Sequence, residues 1–310
     1  MRHRLFRIIA HRVWTGVLVL LGAQTVTFFA LRLTPGDPVD TLLGAQTSAS
    51  PQVRAQIAAD LGLDEPLWRQ YLHTVLRPLT GNLGHSYQLS EDVRTALQSQ
   101  LWPTVQLAAG AILVALVIAV PAALSTAGRG RFVRAAVSGS ELLAVSLPAF
   151  WIGLILLTLF SFQLHLFPPA GGGGLASLVL PVLCLAIPMA GELGQVLRET
   201  LDRSLEQPFV LTLRARGLTE PALRLRHVLR HGSLSTVTMT GWMLGVLLTG
   251  AMLTETLFAR PGIGKMTVSA VMTKDFSVVN AVVLLAALLF VVINLVVDLL
   301  YLVLDPRLRR

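Results

Sequence analysis

The chain has 310 residues, of which 54% are hydrophobic and only 14% charged, with a mean hydropathy of +0.68. That is too little charged surface for a water-soluble fold of this length, so lipid is the solvent the sequence implies. The formal net charge of +8 comes almost wholly from arginine, Lys265 and Lys274 being the only lysines, and such an excess serves nucleic acid, anionic lipid or an acidic protein partner. Cys184, the single cysteine, stands in an apolar run, which excludes a disulfide within the chain and a Cys-based metal site.

In chain order, Met1 to Leu33 begins basic and turns apolar, as a secretory signal does. Its apolar part, Val13–Leu31, is as long as a full span and no small-x-small cleavage site follows. A retained first span is therefore expected, with cleavage as the alternative. The next segment, residues 34–101, carries its own helix signals. Ser50 and Pro51 open a helix that Gly62 ends; Asp64 and Pro66 open a second that Gly81 closes; Ser90-Glu91-Asp92 opens a third. A small helical cap outside the membrane is expected there.

Five further runs are apolar enough to cross about 30 Å of hydrocarbon as helices: Thr104–Ser125, Ala136–Phe162, Leu178–Leu197, Leu234–Phe258 and Val278–Leu304. The expectation is an all-α polytopic membrane protein with six transmembrane helices. Its first part is residues 1–33, its membrane core is residues 102–304, and a tail occupies 305–310. Arginines crowd the N-terminus (Arg2, Arg4, Arg7, Arg12), the second-to-third connection (Arg129, Arg131, Arg134), the fourth-to-fifth connection and the tail (Arg307, Arg309, Arg310). The positive-inside rule then places both termini in the cytoplasm.

The fourth-to-fifth connection, residues 206–232, is more than a basic loop. Gly217 interrupts a helical segment starting near Phe209, Thr219 is an N-cap, and Pro221 fits a first turn. Ala222, Leu225, Val228 and Leu229 then recur at helical spacing while Arg224, Arg230 and His231 point elsewhere. The expected object is an elbow, helix–glycine–helix, with an apolar ridge and a basic surround. Such an elbow serves as an ordinary positive-inside loop, lies on anionic lipid or docks in a groove of another protein.

"RARGLTEPALRLRHVLRHG" resembles the cytoplasmic EAA loop of ATP-binding-cassette import permeases, in the version of the dipeptide/oligopeptide/nickel permease family. "RLTPGDPV" at 32–39, "LGLDEPLWRQYLHTVLRPLTGNLGHSY" at 61–87, "LTETLFARPGIGKM" at 253–266 and "VINLVVDLLYLVLDPRLR" at 292–309 are similar to further blocks of that family, in the expected order. Together they cover nearly the whole chain. The family's usual acid-tyrosine pair near Phe209, its Arg-Thr-Ala and its Leu-Pro are replaced by Pro208, by Leu211-Thr212-Leu213 and by Leu234-Ser235.

The resemblance implies a type I importer permease fold in a bacterial cell membrane. It implies a homologous second permease subunit, two ATPase subunits or one fused ATPase that bind ATP and magnesium, and an extracytoplasmic binding protein. No cofactor in this chain is implied. The elbow's first helix would be a coupling helix, with Phe209, Arg214, Ala215, Arg216, Gly217, Leu218, Arg224 and Arg230 at the ATPase. The implied cargo is short peptides, with nickel chelates, glutathione or haem as alternatives.

The remaining candidates stay open between two readings. Glu192, with Gln195 on the same turn, either lines the translocation path or pairs with Arg198. Glu255, between Thr254 and Thr256, lines an outer pore mouth or glues helices. Asn294 and Asp298, one turn apart, fit bonding to a neighbouring helix or to the sister subunit better than contact with cargo. His227 and His231 have metal-pair spacing but lack a third ligand, and "GIGKMT" fails the phosphate-loop pattern at Ala259 and Met266. No hydrolase constellation appears, and basic residues are not interleaved with aromatics as nucleic acid would require. A self-sufficient secondary transporter or channel is the reading of another class. It would need mid-membrane charge pairs in several spans or inverted repeats.

Overall fold

A computed structural model describes residues 2–33, 39, 50–60, 62–128, 130–171 and 173–304. The expected tail at 305–310, Arg129 and most of the block at 32–39 lie outside these residues. The chain divides into two compact units. Among the described residues, one comprises those within Thr104–Arg260 and 293–304, the other those within Arg2–Pro103 and Pro261–Val292.

The second unit opens with helix α1 (Arg2–Arg32), of which Ala10–Arg32 is apolar enough to span a membrane. Helices α2 (Pro51–Asp60) and α3 (Leu67–Leu76) follow, starting where Pro51 and Pro66 predict. Gly62 and Gly81 end the two helical stretches with φ of +63° and +78°, a backbone region that glycine enters without a Cβ penalty. The third cap helix expected from Ser90 is different. Glu91–Asp92 (β2) pairs antiparallel with His85–Ser86 (β1), and helix α4 (Val93–Thr126) starts only after them. Gln98, Ser99, Gln100 and Pro103 lie between Leu97 and the expected second span, yet the helix runs through them, so cap helix and span are one continuous element.

Helices α12 (Ile263–Met272) and α13 (Phe276–Leu304) supply Ile263, Ala270, Val278 and Val282 to a core shared with Val93 and Leu97. Asp275 anchors that core: its carboxylate accepts hydrogen bonds from the Ser86 hydroxyl and the Val278 backbone amide.

In the other unit, Ala111, Ala115, Ala119, Ala123 and Ala127 recur every fourth residue along α4 and its end, each buried. A stripe of small residues lets helix backbones approach where lipid supplies no hydrophobic drive. Leu107 and Ala111 pack with Val182 and Leu193 of α7 (Ala176–Leu205) and with Met243 and Leu247 of α10 (Leu229–Gly250).

The expected third span, Ala136–Phe162, is not one straight helix. It is α5 (Arg131–Ser146) and α6 (Ala149–Leu156), the latter prolonged by a π-helical stretch to Gln163, with a 99° bend between them. Pro148 causes the break: its ring forces Leu147 into an extended conformation (ψ 131°) and removes a backbone donor. Among the described residues, four helices are long and apolar enough to cross a membrane, and this bent pair makes a fifth if counted as one span. The remaining expected span is α10 followed by α11 (Met252–Leu257). It is less apolar because Thr236, Thr238 and Thr240 interrupt it, each hydroxyl satisfied by the carbonyl four residues back.

Candidate functional site

The elbow begins where α7 stops. Gln207 is extended, as the residue before a proline must be. Pro208 then takes the first helical position of α8 (Pro208–Ala215), where a missing N–H costs nothing. The substitution that departs from the family pattern therefore sets the helix start. At the other end, the Gly217 amide donates to the Arg214 carbonyl (2.9 Å) and the Leu218 amide to the Leu213 carbonyl (3.3 Å). That pair of bonds closes a helix through a left-handed residue, and Gly217 supplies it with φ +80°.

Thr219 stands at the N-cap of α9 (Glu220–Leu223), extended as expected but with no capping bond from its side chain. A π-helical turn, Arg224–Val228, leads into α10. Its extra residue rotates the face that the 3.6-residue period predicts. Leu223, Arg224 and Val228 turn inward, whereas Leu225, expected on the apolar ridge, is exposed. Val210, Leu223 and Val228 seat the elbow on Ala123, Ala127, Leu197 and Leu201, each contributing about 1.5–3 kcal/mol of burial.

Arg224 is accordingly not a surface contact, correcting the expectation. It is buried, donates to the Leu124 carbonyl in the last turn of α4 (3.4 Å), and faces Glu220 at 3.6 Å. A cation on the terminal carbonyls of a helix also meets the negative end of its dipole. Leu211, Arg214, Ala215, Arg216, Gly217 and Arg230 are exposed, and Leu218 is half-buried. The half-buried Phe209 ring lies 5.0 Å from the His231 ring. Arg214 donates to Glu220 at 2.7 Å, which lowers the Glu220 carboxyl from its usual value and raises the Arg214 guanidinium.

The membrane-embedded charges are arranged differently from the expectation. Arg198 does not pair with Glu192. It pairs with Glu141 of α5, and both side chains are buried. Glu141 was missed, although a lone acid in an apolar run was the available signal. Arg134 pairs with Asp202 at 2.9 Å, and Asp202 also accepts the Gly128 amide. Gln195 and Arg198 line a cleft of about 430 Å³ with Arg134, Ser138 and Asp202. Glu192 is half-buried, outside that lining, with no ion pair among the described residues. Glu255 is fully buried and accepts a hydrogen bond from Thr104 at 2.6 Å, an arrangement that ties α11 to α4.

Among the described residues no three His, Cys, Asp or Glu side chains converge as metal ligands. The site offers a seated, basic, solvent-facing helix and fixed internal charges.

A family model described as "Binding-protein-dependent transport system inner membrane component" matches residues 111–310, and its N-terminal companion matches residues 5–108. The dipeptide transport system permease protein DppB of Escherichia coli K12 is 31% identical, with 98% of this chain and 99% of that protein covered. A Brucella abortus protein, provisionally named a peptide transport system permease, is 33% identical with 97% and 98% covered. Among solved structures, a chain of the inward-facing MetNI methionine ABC transporter superposes with a TM-score of 0.55 at 19% identity. It covers 67% of this chain and 96% of that one, a likeness of fold.

Proposed function

The chain belongs to the binding-protein-dependent transport system inner membrane component family, and on that premise we propose that it forms half of the translocation pathway of an ATP-driven importer of short peptides. The other half is a homologous second permease subunit. Two ATPase subunits, or one fused ATPase, bind the elbow, and an extracytoplasmic binding protein delivers cargo to the segment at 34–101. Both termini lie in the cytoplasm, in line with the arginine distribution. The names of the relatives support the peptide cargo.

One observation carries the coupling role: Leu211, Arg214 and Ala215 of α8 are exposed while Val210 packs the helix against the membrane helices. A load on the exposed side is therefore passed to α4 and α7. Val210, Leu223 and Val228 carry it through packing, and Arg224 carries it through the Leu124 carbonyl. Closure of the ATPases pushes α8 and tilts these helices between inward- and outward-facing states. Glu192, with no ion pair among the described residues, faces the pathway or the sister subunit, and Gln195 lies beside it on the same helix.

The test is Gly217→Val in the assembled transporter. A β-branched residue at φ +80° is strained by a few kcal/mol, so the end of α8 is displaced. The expected outcome is a complex that still reaches the membrane but no longer takes up dipeptide on ATP addition. Wild-type uptake would contradict the assignment.

A further inference from the structure

Helix α3 (Leu67–Leu76) is turned inside out. Its uncharged polar residues face the protein: Gln70 is buried and donates to the carbonyls of Glu65 (2.6 Å) and Leu63 (3.3 Å), and Tyr71 and Thr74 are half-buried. Its apolar residues face out. Trp68, Leu72 and Leu76, spaced four apart on one stripe, are all exposed, and Leu79 in the following turn is 80% exposed. Arg69, His73 and Arg77, also spaced four apart, form a basic stripe beside it. Of these, His73 faces Glu65 at 3.8 Å, and Arg69 lies over the Trp68 ring at 5.1 Å.

The depth of α3 indicates what covers the apolar stripe. The Tyr71 hydroxyl shares a hydrogen bond with the Thr25 hydroxyl (2.8 Å), and the Tyr71 ring meets that of Phe28 at 5.5 Å. Thr25 lies seven residues inside the Arg32 end of the apolar span Ala10–Arg32, about 10 Å along a helix that rises 1.5 Å per residue. A helix bonded at that level is at headgroup depth or below. Val26, Phe29 and Leu33, at the same end of α1, are exposed apolar side chains as well.

We propose that α3 lies in the membrane interface of the leaflet at the Arg32 end of α1. Trp68, Leu72 and Leu76 enter the acyl boundary, and Arg69 and Arg77 meet anionic lipid headgroups. An apolar stripe beside a basic one is the pattern of an interfacial helix, and tryptophan favours that depth. The docking surface for a binding protein then falls to other parts of the segment 34–101.

The test uses nitroxide labels at Leu72→Cys and Leu76→Cys, with His73→Cys as reference, on a Cys184→Ala background. The full chain is assembled with its partner subunits in phosphatidylethanolamine/phosphatidylglycerol vesicles. The labels at 72 and 76 are expected to collide several times more with oxygen than with a water-soluble nickel chelate, and the label at 73 is expected to do the reverse. Equal nickel access at all three positions would overturn the proposal by placing the stripe in water. Protection of 72 and 76 from both reagents would overturn it by placing the stripe under protein. Arg69→Gln with Arg77→Gln should lower the oxygen preference at 76 in the same vesicles, and an unchanged ratio would remove the headgroup contact. None of these readouts depends on coupling or cargo.

Discussion

Arg224 and Arg230 lie six residues apart in one basic stretch, yet the first is buried against Leu124 and the second is exposed. Their substitutions should therefore separate. Arg224→Ala leaves a helix-terminal carbonyl unmet and should cost about 1–3 kcal/mol, read as a lower melting temperature in detergent. Arg230→Glu should leave that temperature unchanged while reducing co-purification of the ATPase. The buried Glu141–Arg198 pair allows a sharper measurement. Removing Glu141 alone strands a buried charge at a cost of about 3–5 kcal/mol. Glu141→Ala combined with Arg198→Leu should recover part of the lost stability, and strict additivity would contradict the pairing.

The exposed Arg214–Glu220 bond sets a pH dependence of definite sign. Because the folded Glu220 carboxyl lies below its ordinary value, its contribution is complete above the usual carboxylate range near about 4. It is lost as the pH falls through the lowered value. Solvent screening keeps the effect small. Glu220→Gln should abolish that acid-side loss of elbow stability in a pH series of melts.

At the scale of elements, the close approach of α5 to α7 rests on missing side chains. A Cβ at Gly191 would stand 2.8 Å from the Glu141 carbonyl oxygen, a backbone atom that cannot swing aside. Gly191→Ala should cost about 1–3 kcal/mol through overpacking, measured as a melting shift and as weakened Glu141–Arg198 coupling. The positions where helices start were legible in Pro51 and Pro66, because a proline at a first turn acts locally, whereas Pro208 stood out in the sequence only as a departure from the family pattern. Pro148 was equally visible, but the apolar run continues on both sides of it, and hydropathy does not register direction. The phase slip at Arg224–Val228 was not legible: a π turn is settled by packing around Leu223 and Val228, not by composition. The Glu141–Arg198 pair spans 57 residues, a separation that no helical period reports.

At the scale of the whole molecule, membrane embedding and the family were legible because they rest on long apolar runs and on several ordered blocks. The grouping of residues 62–103 with residues 261–292 was not legible, since it depends on the contacts of Ser86 with Asp275 and of Val93 with Val278. In the proposed mechanism this chain is a passive half-pathway worked through its elbow by a separate motor. The most direct measurement is peptide uptake into vesicles holding this chain alone, then with its sister permease, then with sister permease and ATPases under saturating binding protein. No uptake is expected with or without ATP in the first two preparations, and ATP-dependent uptake only in the third. Uptake or conductance by the chain alone would contradict the mechanism.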